Sequence, residues 1–239
     1  LSGVLALGVL LSFSRGAWAC LALGGLVWGY LAFATAESAR ARLNIAGFAT
    51  AAVLLGGAAL AMALQIERIE ALIAERASLT QSYDVGPEGR FGGQEKALDL
   101  LATNPLGIGA QEFASTYHHE EVHNVYLSMA LNTGWLGGAL FLALTALTLV
   151  IGFRAVLAST PYRPLLIAVY SAFLATALEG VIIDTDHWRH LYVLMGLVWG
   201  FAFAAPADGV AARDHDEVGE TAPPVVRPRR VARIGGRGA

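Results

Sequence analysis

Long apolar runs, most of them near the length of a membrane-spanning helix, recur along this sequence of 239 residues. A spanning helix needs about 20 apolar residues, and a half-buried strand would alternate in polarity, which these runs do not. The runs, of which the first is incomplete and the last is short, cover residues 1–13, 17–35, 44–64, 135–153, 164–183 and 191–203. They predict an all-α fold, a polytopic membrane helix bundle with about six transmembrane segments in this chain.

Composition agrees with that prediction. Hydrophobic residues make up 56% of the chain and charged residues 15%, whereas a soluble domain carries about 25% charged residues. The excess apolar surface must face lipid or lie inside the bundle. The single cysteine, Cys20, lies in an apolar run, which excludes an internal disulfide and a cysteine-based metal site. Leu1 already belongs to an apolar run with no charged segment before it, so we expect a fragment of a longer membrane protein and no signal peptide.

Basic residues in the loops predict the orientation, because loops rich in Lys and Arg stay on the cytoplasmic side of a membrane. Residues 36–43, 154–163 and 207–239 fall on one side by helix parity and are rich in arginine, with six arginines in the last. Residues 65–122 fall on the other side and hold ten acidic residues against four basic ones. This bias indicates a bacterial inner-membrane protein in which residues 65–122 face the periplasm.

Four regions follow from this topology. We expect transmembrane helices in residues 1–64 and again in 123–206, a periplasmic loop at 65–122 between them, and a disordered cytoplasmic tail at 207–239.

The periplasmic loop is predicted to be mostly helical. Apolar residues recur at helical spacing between charged ones over residues 66–79, a pattern typical of an amphipathic helix on a membrane or protein surface. The glycine-rich residues 84–93 predict a loop, and residues 94–102 predict a second short helix. Asn104-Pro105 should end that helix, because proline disfavours a helical conformation in the residue before it.

A histidine-rich segment ends the loop, where the chain re-enters the membrane: His118-His119-Glu120-Glu121-Val122-His123-Asn124. An imidazole at the outer end of a helix can take a proton from a hydroxyl near neutral pH, so His123 is a candidate general base. Asn124 can orient that imidazole or hydrogen-bond a sugar. Two other interpretations stay open. His119 and His123 stand four residues apart and could share a metal, although the segment is not His-Glu-x-x-His, and the cluster could simply be a solvated interfacial face.

Arginines are predicted on the same outer side. Arg15 is the only charged residue among the first 36, Arg90 lies in the glycine-rich loop, and Arg189 lies in the short connection before the last apolar run. A guanidinium group binds phosphate through two N–H groups, although an interfacial arginine can also simply extend into water. Together with His123, these cations suit an anionic lipid pyrophosphate and a hydroxyl acceptor. Glu179, inside an apolar run, could be a functional acid or the partner of an arginine.

Three motifs, in this order, resemble those of the O-antigen ligase and O-antigen polymerase superfamily. His123-Asn124, nine residues, and Gly134-Trp135-Leu136-Gly137 match its signature of His followed by Asn, Ser or Gln, nine residues and Gly-x-x-Gly. Ser14-Arg15-Gly16 resembles its Ser-Arg-Gly motif. Arg90, a short helix and Pro105-Leu106-Gly107-Ile108-Gly109 resemble its periplasmic loop. Gly134 and Gly137 are small enough to permit close packing between helices.

The resemblance covers residues 1–205 and implies a membrane glycosyltransferase. Such an enzyme moves a glycan from undecaprenyl pyrophosphate to an acceptor hydroxyl with inversion, and it needs no metal or other cofactor. His123 would be the general base, and Arg15 and Arg90 would bind the donor pyrophosphate. Asn124 and Arg189 complete the expected substrate contacts, Arg189 from topology alone. The implied partners are the lipid-linked donor, a lipid A–core or other glycan acceptor and membrane lipid, with no nucleic acid.

The acceptor is not determined by these residues. An O-antigen ligase, an O-antigen or exopolysaccharide polymerase and a protein O-oligosaccharyltransferase would share the same motifs. The alternative from another class is a transporter or scaffold. A transporter places ionisable residues at mid-membrane in broken helices, whereas here they gather at the predicted outer surface and only Glu179 lies inside a run.

Overall fold

A computed structural model describes residues 2–77 and 84–204, and every regular element in these residues is a helix. The predicted all-α class is therefore confirmed for the described residues. The elements, in chain order, are α1 (Ser2–Leu11), α2 (Arg15–Ala34), α3 (Ala39–Ala63), α4 (Glu67–Ala77), α5 (Arg90–Thr103), a π-helical turn (Phe113–Tyr117), α6 (Val125–Leu157), α7 (Arg163–Glu179) and α8 (Arg189–Phe203). The tail predicted at 207–239 lies outside the described residues.

Three of these helices, α2, α3 and α6, are long and apolar enough to cross a membrane. Helix α7 has 17 residues and α8 has 15, fewer than the roughly 20 that a spanning helix needs. The prediction of about six spans is thus confirmed only in part, and both the full count and the periplasmic side of residues 65–122 stay predictions.

Helix α3 shows why this chain requires an apolar environment. None of its residues is buried, and its large apolar side chains are exposed along its length, among them Phe48, Val53 and Leu55. A continuous apolar surface of this kind is not stable in water, so lipid or another protein segment must cover it.

The main core lies between α2, α6, α7 and α8, with α7 in contact with each of the other three. Leu31, Val156, Leu166, Phe173 and Val198 belong to this core, and each is buried almost completely. Because α7 packs against α2, α6 and α8, its C-terminal end is held at a defined position near the start of α6.

A second, smaller core fixes the loop region to the start of α6. Ala97 from α5 and Phe113 from the π-helical turn pack with Val122, Leu127 and Leu131. Helix α5 begins at Arg90, so the last residues of the predicted 84–93 loop are already helical, and it ends with Asn104 as its C-cap, as the Asn-Pro pair predicts. The packing places α5 directly beside the residues that precede α6.

Helix α6 is broken at Gly134, which has φ 81° and ψ 177°. The turn at 105–107 docks into the break: Trp135 N–H donates to the Pro105 oxygen at 2.9 Å, and Ile108 N–H donates to the Leu131 oxygen at 2.7 Å. A Cβ on Gly134 would lie 2.7 Å from the Pro105 oxygen, and one on Gly107 would lie 2.6 Å from the Gly134 nitrogen. The prediction that Gly134 serves packing between neighbouring helices is therefore wrong, because it admits the 105–107 turn instead.

Candidate active site

His123 is held at the start of α6 by three separate contacts. Asn124 is the N-cap of α6, and its side-chain oxygen accepts hydrogen bonds from the N–H groups of Tyr126 and Leu127, both at 3.1 Å. Gln94 of α5 donates to the backbone oxygen of His123 at 2.7 Å. Val125 N–H donates to the Gly180 oxygen, also at 2.7 Å, which ties the start of α6 to the end of α7.

The imidazole of His123 lies between two carboxylates. Its Nδ1 is 3.3 Å from Oδ1 of Asp184, in the connection between α7 and α8, and its Nε2 is 3.0 Å from Oε2 of Glu120. The hydrogen bond with Asp184 is the main reason that the pKa of His123 is raised above its ordinary value. Burial and the positive charge of Arg90 lower this pKa, and the hydrogen bond with Glu120 raises it further.

The two carboxylates differ in exposure. Burial is the largest single influence on the pKa of Asp184 and raises it, but the hydrogen bond with His123, a hydrogen bond with its own backbone and the charges of His123 and His187 together bring the pKa below its ordinary value. Glu120 has 55% of its side chain exposed, and its hydrogen bond with His123 lowers its pKa. Asp184 is thus a fixed, ionised partner for Nδ1, whereas Glu120 can rotate into solvent and free Nε2 for a substrate hydroxyl.

Asp84 brings the two predicted pyrophosphate-binding arginines together. Arg15 Nη2 lies 2.8 Å from Oδ2 of Asp84, and Arg90 Nη1 lies 3.6 Å from Oδ1, while only 4% of the Asp84 side chain is exposed. A carboxylate this deeply buried is stable only if it is paired. Here it joins the first residue of α2 to the first residue of α5 and offsets the repulsion between their cations.

Each residue of the Ser14-Arg15-Gly16 motif has a distinct structural role. The Ser14 hydroxyl accepts a hydrogen bond from Ala17 N–H at 3.3 Å and caps α2. Arg15 supplies the charge. A Cβ on Gly16 would lie 2.5 Å from Oε1 of Glu179, so glycine allows that carboxylate to approach α2. Glu179 accepts a hydrogen bond from the Cys20 thiol at 3.0 Å and, among the described residues, pairs with no arginine.

A cleft of about 780 Å³ opens beside these groups, a volume within the usual range for a small-molecule site. Arg15, Arg90, Asp84 and Glu179 contribute its charged lining, and its apolar lining comes from Phe13, Phe91, Ile182, Ile183 and Trp188. The N-terminus of α2 forms part of the wall, and the exposed N–H groups of a helix N-terminus attract anions.

The predicted site residues are thus distributed unequally around the cleft. Arg15 and Arg90 line it together, whereas His123 does not line it but lies close enough to Arg90 for that charge to lower its pKa. Asn124 caps α6. Arg189 is an exposed residue at the start of α8 that forms no hydrogen bond or ion pair within the described part of the chain, and its neighbour Trp188 lines the cleft in its place.

Sequence reasoning missed the carboxylates of this site. Three acidic residues each pair with a predicted site residue: Asp84, Asp184 and Glu120. Nothing in the sequence around them distinguishes them from the other acidic residues nearby. The metal suggested by the spacing of His119 and His123 stays a prediction: these two rings contact different oxygens of Glu120, at 3.8 and 3.0 Å, and among the described residues the ligand atom of His119 groups with those of Glu88 and His118.

Comparison with known proteins identifies the family. A protein-family model described as O-antigen ligase matches residues 1–142, more than half of the chain. The match contains all three motifs, from Ser14-Arg15-Gly16 to Gly134-Trp135-Leu136-Gly137. No curated protein and no solved structure was found to match the chain. The family match confirms the resemblance seen in the sequence and, with the long apolar helices, identifies a membrane enzyme of the ligase and polymerase group: the chain belongs to the O-antigen ligase family.

Proposed function

We propose that this chain forms the reacting centre of a glycosyltransferase that moves a glycan from undecaprenyl pyrophosphate to an acceptor hydroxyl on the periplasmic face of the bacterial inner membrane. One observation carries the proposal. An oriented imidazole, His123, lies near enough to Arg90 for that positive charge to lower its pKa, and Asp84 joins Arg90 to Arg15 at an apolar-walled cleft. A base for the acceptor and cations for a phosphorylated lipid are therefore neighbours.

The cleft suits the donor because it combines both kinds of surface that a polyprenyl pyrophosphate presents. Arg15, Arg90 and the N-terminus of α2 would bind the pyrophosphate oxygens. The apolar side of the cleft, with Ile182, Ile183 and Trp188, would contact the first isoprene units. As the glycosidic bond breaks, the negative charge on the departing pyrophosphate increases, and guanidinium groups fixed by Asp84 stabilise that charge without first having to reorganise.

The transfer itself would be a single displacement. The acceptor hydroxyl oxygen attacks the anomeric carbon of the donor sugar while its proton passes to Nε2 of His123. The bond between that carbon and the pyrophosphate oxygen breaks, and undecaprenyl pyrophosphate leaves with the electron pair. Because attack is opposite to the leaving group, the anomeric configuration inverts. Asp184 stabilises the imidazolium that forms, and in this scheme the arginines supply the positive charge that a metal would otherwise supply.

Asn124 and Arg189 would act at the edge of this centre. The Asn124 oxygen is used in capping α6, so its NH₂ group is the part that would contact a sugar. Arg189, exposed at the start of α8, would attract anionic groups of an incoming acceptor such as lipid A–core. These contacts define a substrate region around His123 without specifying the sugar.

The ligase and polymerase variants of this function share the same chemistry and differ in the acceptor. Analysis of lipid-linked products in a deletion strain separates them. A ligase defect leaves complete polymer on the lipid carrier with none attached to lipid A–core, and a polymerase defect shortens the chains. A protein O-oligosaccharyltransferase would instead leave its target protein without glycan.

The decisive experiment measures glycan transfer by the intact protein reconstituted with lipid-linked donor and acceptor. His123→Ala should lower the transfer rate by about 10²–10⁴-fold, the usual contribution of a general base. His190→Ala is the matched control, because His190 is exposed and its ring contacts Trp188 and not the carboxylates around His123. Transfer by His123→Ala at the rate of the unaltered protein, with normal membrane insertion, would remove His123 from the mechanism.

A further inference from the structure

A second group of side chains, separate from the His123–Asp184 pair and from the arginine cleft, consists of Glu88, His118 and His119. One potential ligand atom from each residue lies within 4.8 Å of those of the other two. Glu88 precedes α5, in the same loop as Asp84, and the histidines precede the segment that ends in His123. The group therefore joins the loop that holds Asp84 and leads into Arg90 to the segment that leads into the candidate base.

His118 is prepared as a metal ligand. Only 9% of its surface is exposed, and its ring stacks on that of Phe113 with 5.6 Å between the ring centroids. Its Nδ1 lies 3.1 Å from the backbone oxygen of Glu120 and 3.2 Å from the backbone nitrogen of the same residue, so it donates to that oxygen when it carries the ring proton and accepts from that N–H when it does not. Metal-bound histidines commonly donate one ring N–H to a backbone carbonyl and bind the metal through the other nitrogen. That other nitrogen, Nε2, is buried and has no hydrogen-bond partner among the described residues, so a bound cation would satisfy it.

His119 and Glu88 already have the separation of two ligands on one ion. His119 Nδ1 lies 3.4 Å from Oε2 of Glu88. Nitrogen and oxygen ligands about 2.0–2.2 Å from a tetrahedral Zn²⁺ are also about 3.4 Å apart. Both side chains are more than half exposed, so they can rotate toward His118, whose ring centroid is 4.4 Å from that of His119.

We propose that Glu88, His118 and His119 bind one transition-metal cation of the Zn²⁺ type. Two imidazoles and one carboxylate form a donor set suited to zinc, whereas magnesium and calcium prefer oxygen ligands alone. Water would complete the coordination. The ion would cross-link the loop before α5 to the segment before His123. The inference differs from the absence of metal expected from the sequence, and it does not depend on the proposed reaction, because His123 is not a ligand.

The test measures metal binding, not transfer, so its outcome is independent of the proposed function. The intact protein, in detergent micelles and freed of metal by a chelator, is titrated with Co²⁺ and then with Zn²⁺. We expect one equivalent of Co²⁺ to give the intense visible absorption of a four-coordinate site and Zn²⁺ to abolish it. His119→Gln and Glu88→Gln should each weaken Zn²⁺ binding at least about tenfold, since loss of an outer-shell partner alone has that effect.

Matched controls distinguish this site from other histidines. His118→Gln removes the buried ligand. If that variant does not fold, the variants of the exposed residues His119 and Glu88 decide the test. His187→Gln examines the neighbouring group of Asp184, Asp186 and His187, and His190→Gln examines a histidine outside both groups. Both controls should bind Zn²⁺ like the unaltered protein. An absent Co²⁺ spectrum, unchanged Zn²⁺ affinity in His119→Gln and Glu88→Gln, or loss of binding in His187→Gln would each overturn the proposal.

Discussion

Nδ1 of His123 lies 3.3 Å from Oδ1 of Asp184, so the segment before α6 and the connection between α7 and α8 meet across 61 residues of sequence. The contact orients the ring, leaves Nε2 on the side of the exposed Glu120 carboxylate and raises the pKa of His123. A base that must hold a proton during transfer benefits from each of these effects. Asp184 is therefore the residue whose substitution tests the arrangement most directly.

Asp184→Asn should shift the pH dependence of transfer. The hydrogen bond with Asp184 is the largest influence that raises the pKa of His123, while burial and Arg90 lower that pKa and Glu120 adds a smaller increase. Without the carboxylate charge, the pKa falls, so the acidic limb of kcat/KM moves to lower pH. The maximal rate should also fall by at least about tenfold, because the imidazolium is less stable.

The control for that measurement is Asp186→Asn. Asp186 lies in the same connection but contacts Ser128 and His187, not His123. The Asp186→Asn substitution should leave the position of the acidic limb of kcat/KM unchanged. An acidic limb that stays in place in Asp184→Asn, or that moves equally in both variants, would contradict the assignment of Asp184 as the partner of the base.

Protein stability should depend on pH through the same pair. A histidine with a raised pKa in the folded state stabilises the fold fully below its unfolded pKa of about 6.5, and this contribution is lost as pH rises through the folded value. The pKa of Asp184 is lowered, so its contribution is present above the unfolded pKa and is lost as pH falls through the folded one. Stability from the pair is thus greatest in weakly acidic solution.

Thermal unfolding in detergent, measured from weakly acidic to alkaline pH, examines this expectation. The Tm of the unaltered protein should decrease above neutral pH, by about 2–4 °C if the pair contributes about 1 kcal/mol. In His123→Gln, the part of the Tm decrease that comes from the pair should be absent, whereas any general destabilisation at alkaline pH should remain. Identical Tm profiles for the two proteins would show that the pair does not contribute to folding.

Much of this architecture could be predicted from local sequence. The apolar runs predict helices, because their composition alone decides whether they face lipid. Asn104-Pro105 predicts the end of α5, because proline disfavours a helical conformation in the residue immediately before it. The motifs around Arg15, Arg90 and His123 identified the correct family. In these cases the physical cause and its effect lie within a few residues of each other.

Other features could not be predicted, because their causes are distant in sequence. The break at Gly134 lies just before the apolar run at 135–153, where the sequence shows no sign of an interruption, and only the turn at 105–107 explains it. Asp84 and Asp184 look like ordinary acids until folding pairs them with Arg15, Arg90 and His123. Pairing of this kind depends on how helices pack, which helical periodicity does not specify.

Asp84→Asn should loosen the arginine pair. Without the buried carboxylate, Arg15 and Arg90 repel each other and the loop before α5 loses its link to α2. We expect faster amide hydrogen exchange at residues 84–93 and a several-fold higher KM for the lipid-linked donor. Glu95→Gln is the control, since Glu95 is exposed on α5 and should alter neither quantity. Unchanged exchange and donor KM in Asp84→Asn would show that the arginines hold their positions without Asp84.

Alanine substitutions at the glycines around the α6 break should differ in a predictable order. Gly107, Gly109 and Gly134 all have positive φ, at 81°, 98° and 81°, so alanine is strained at each by about 1–2 kcal/mol. At Gly107 and Gly134 the new Cβ would also meet backbone atoms at 2.6 and 2.7 Å, whereas at Gly109 nothing lies within 4 Å. Gly107→Ala and Gly134→Ala should therefore destabilise the protein by about 3–5 kcal/mol, and Gly109→Ala by the conformational strain alone. Unfolding temperatures in detergent measure this order, and equal losses at all three positions would mean that the turn at 105–107 does not dock into the break.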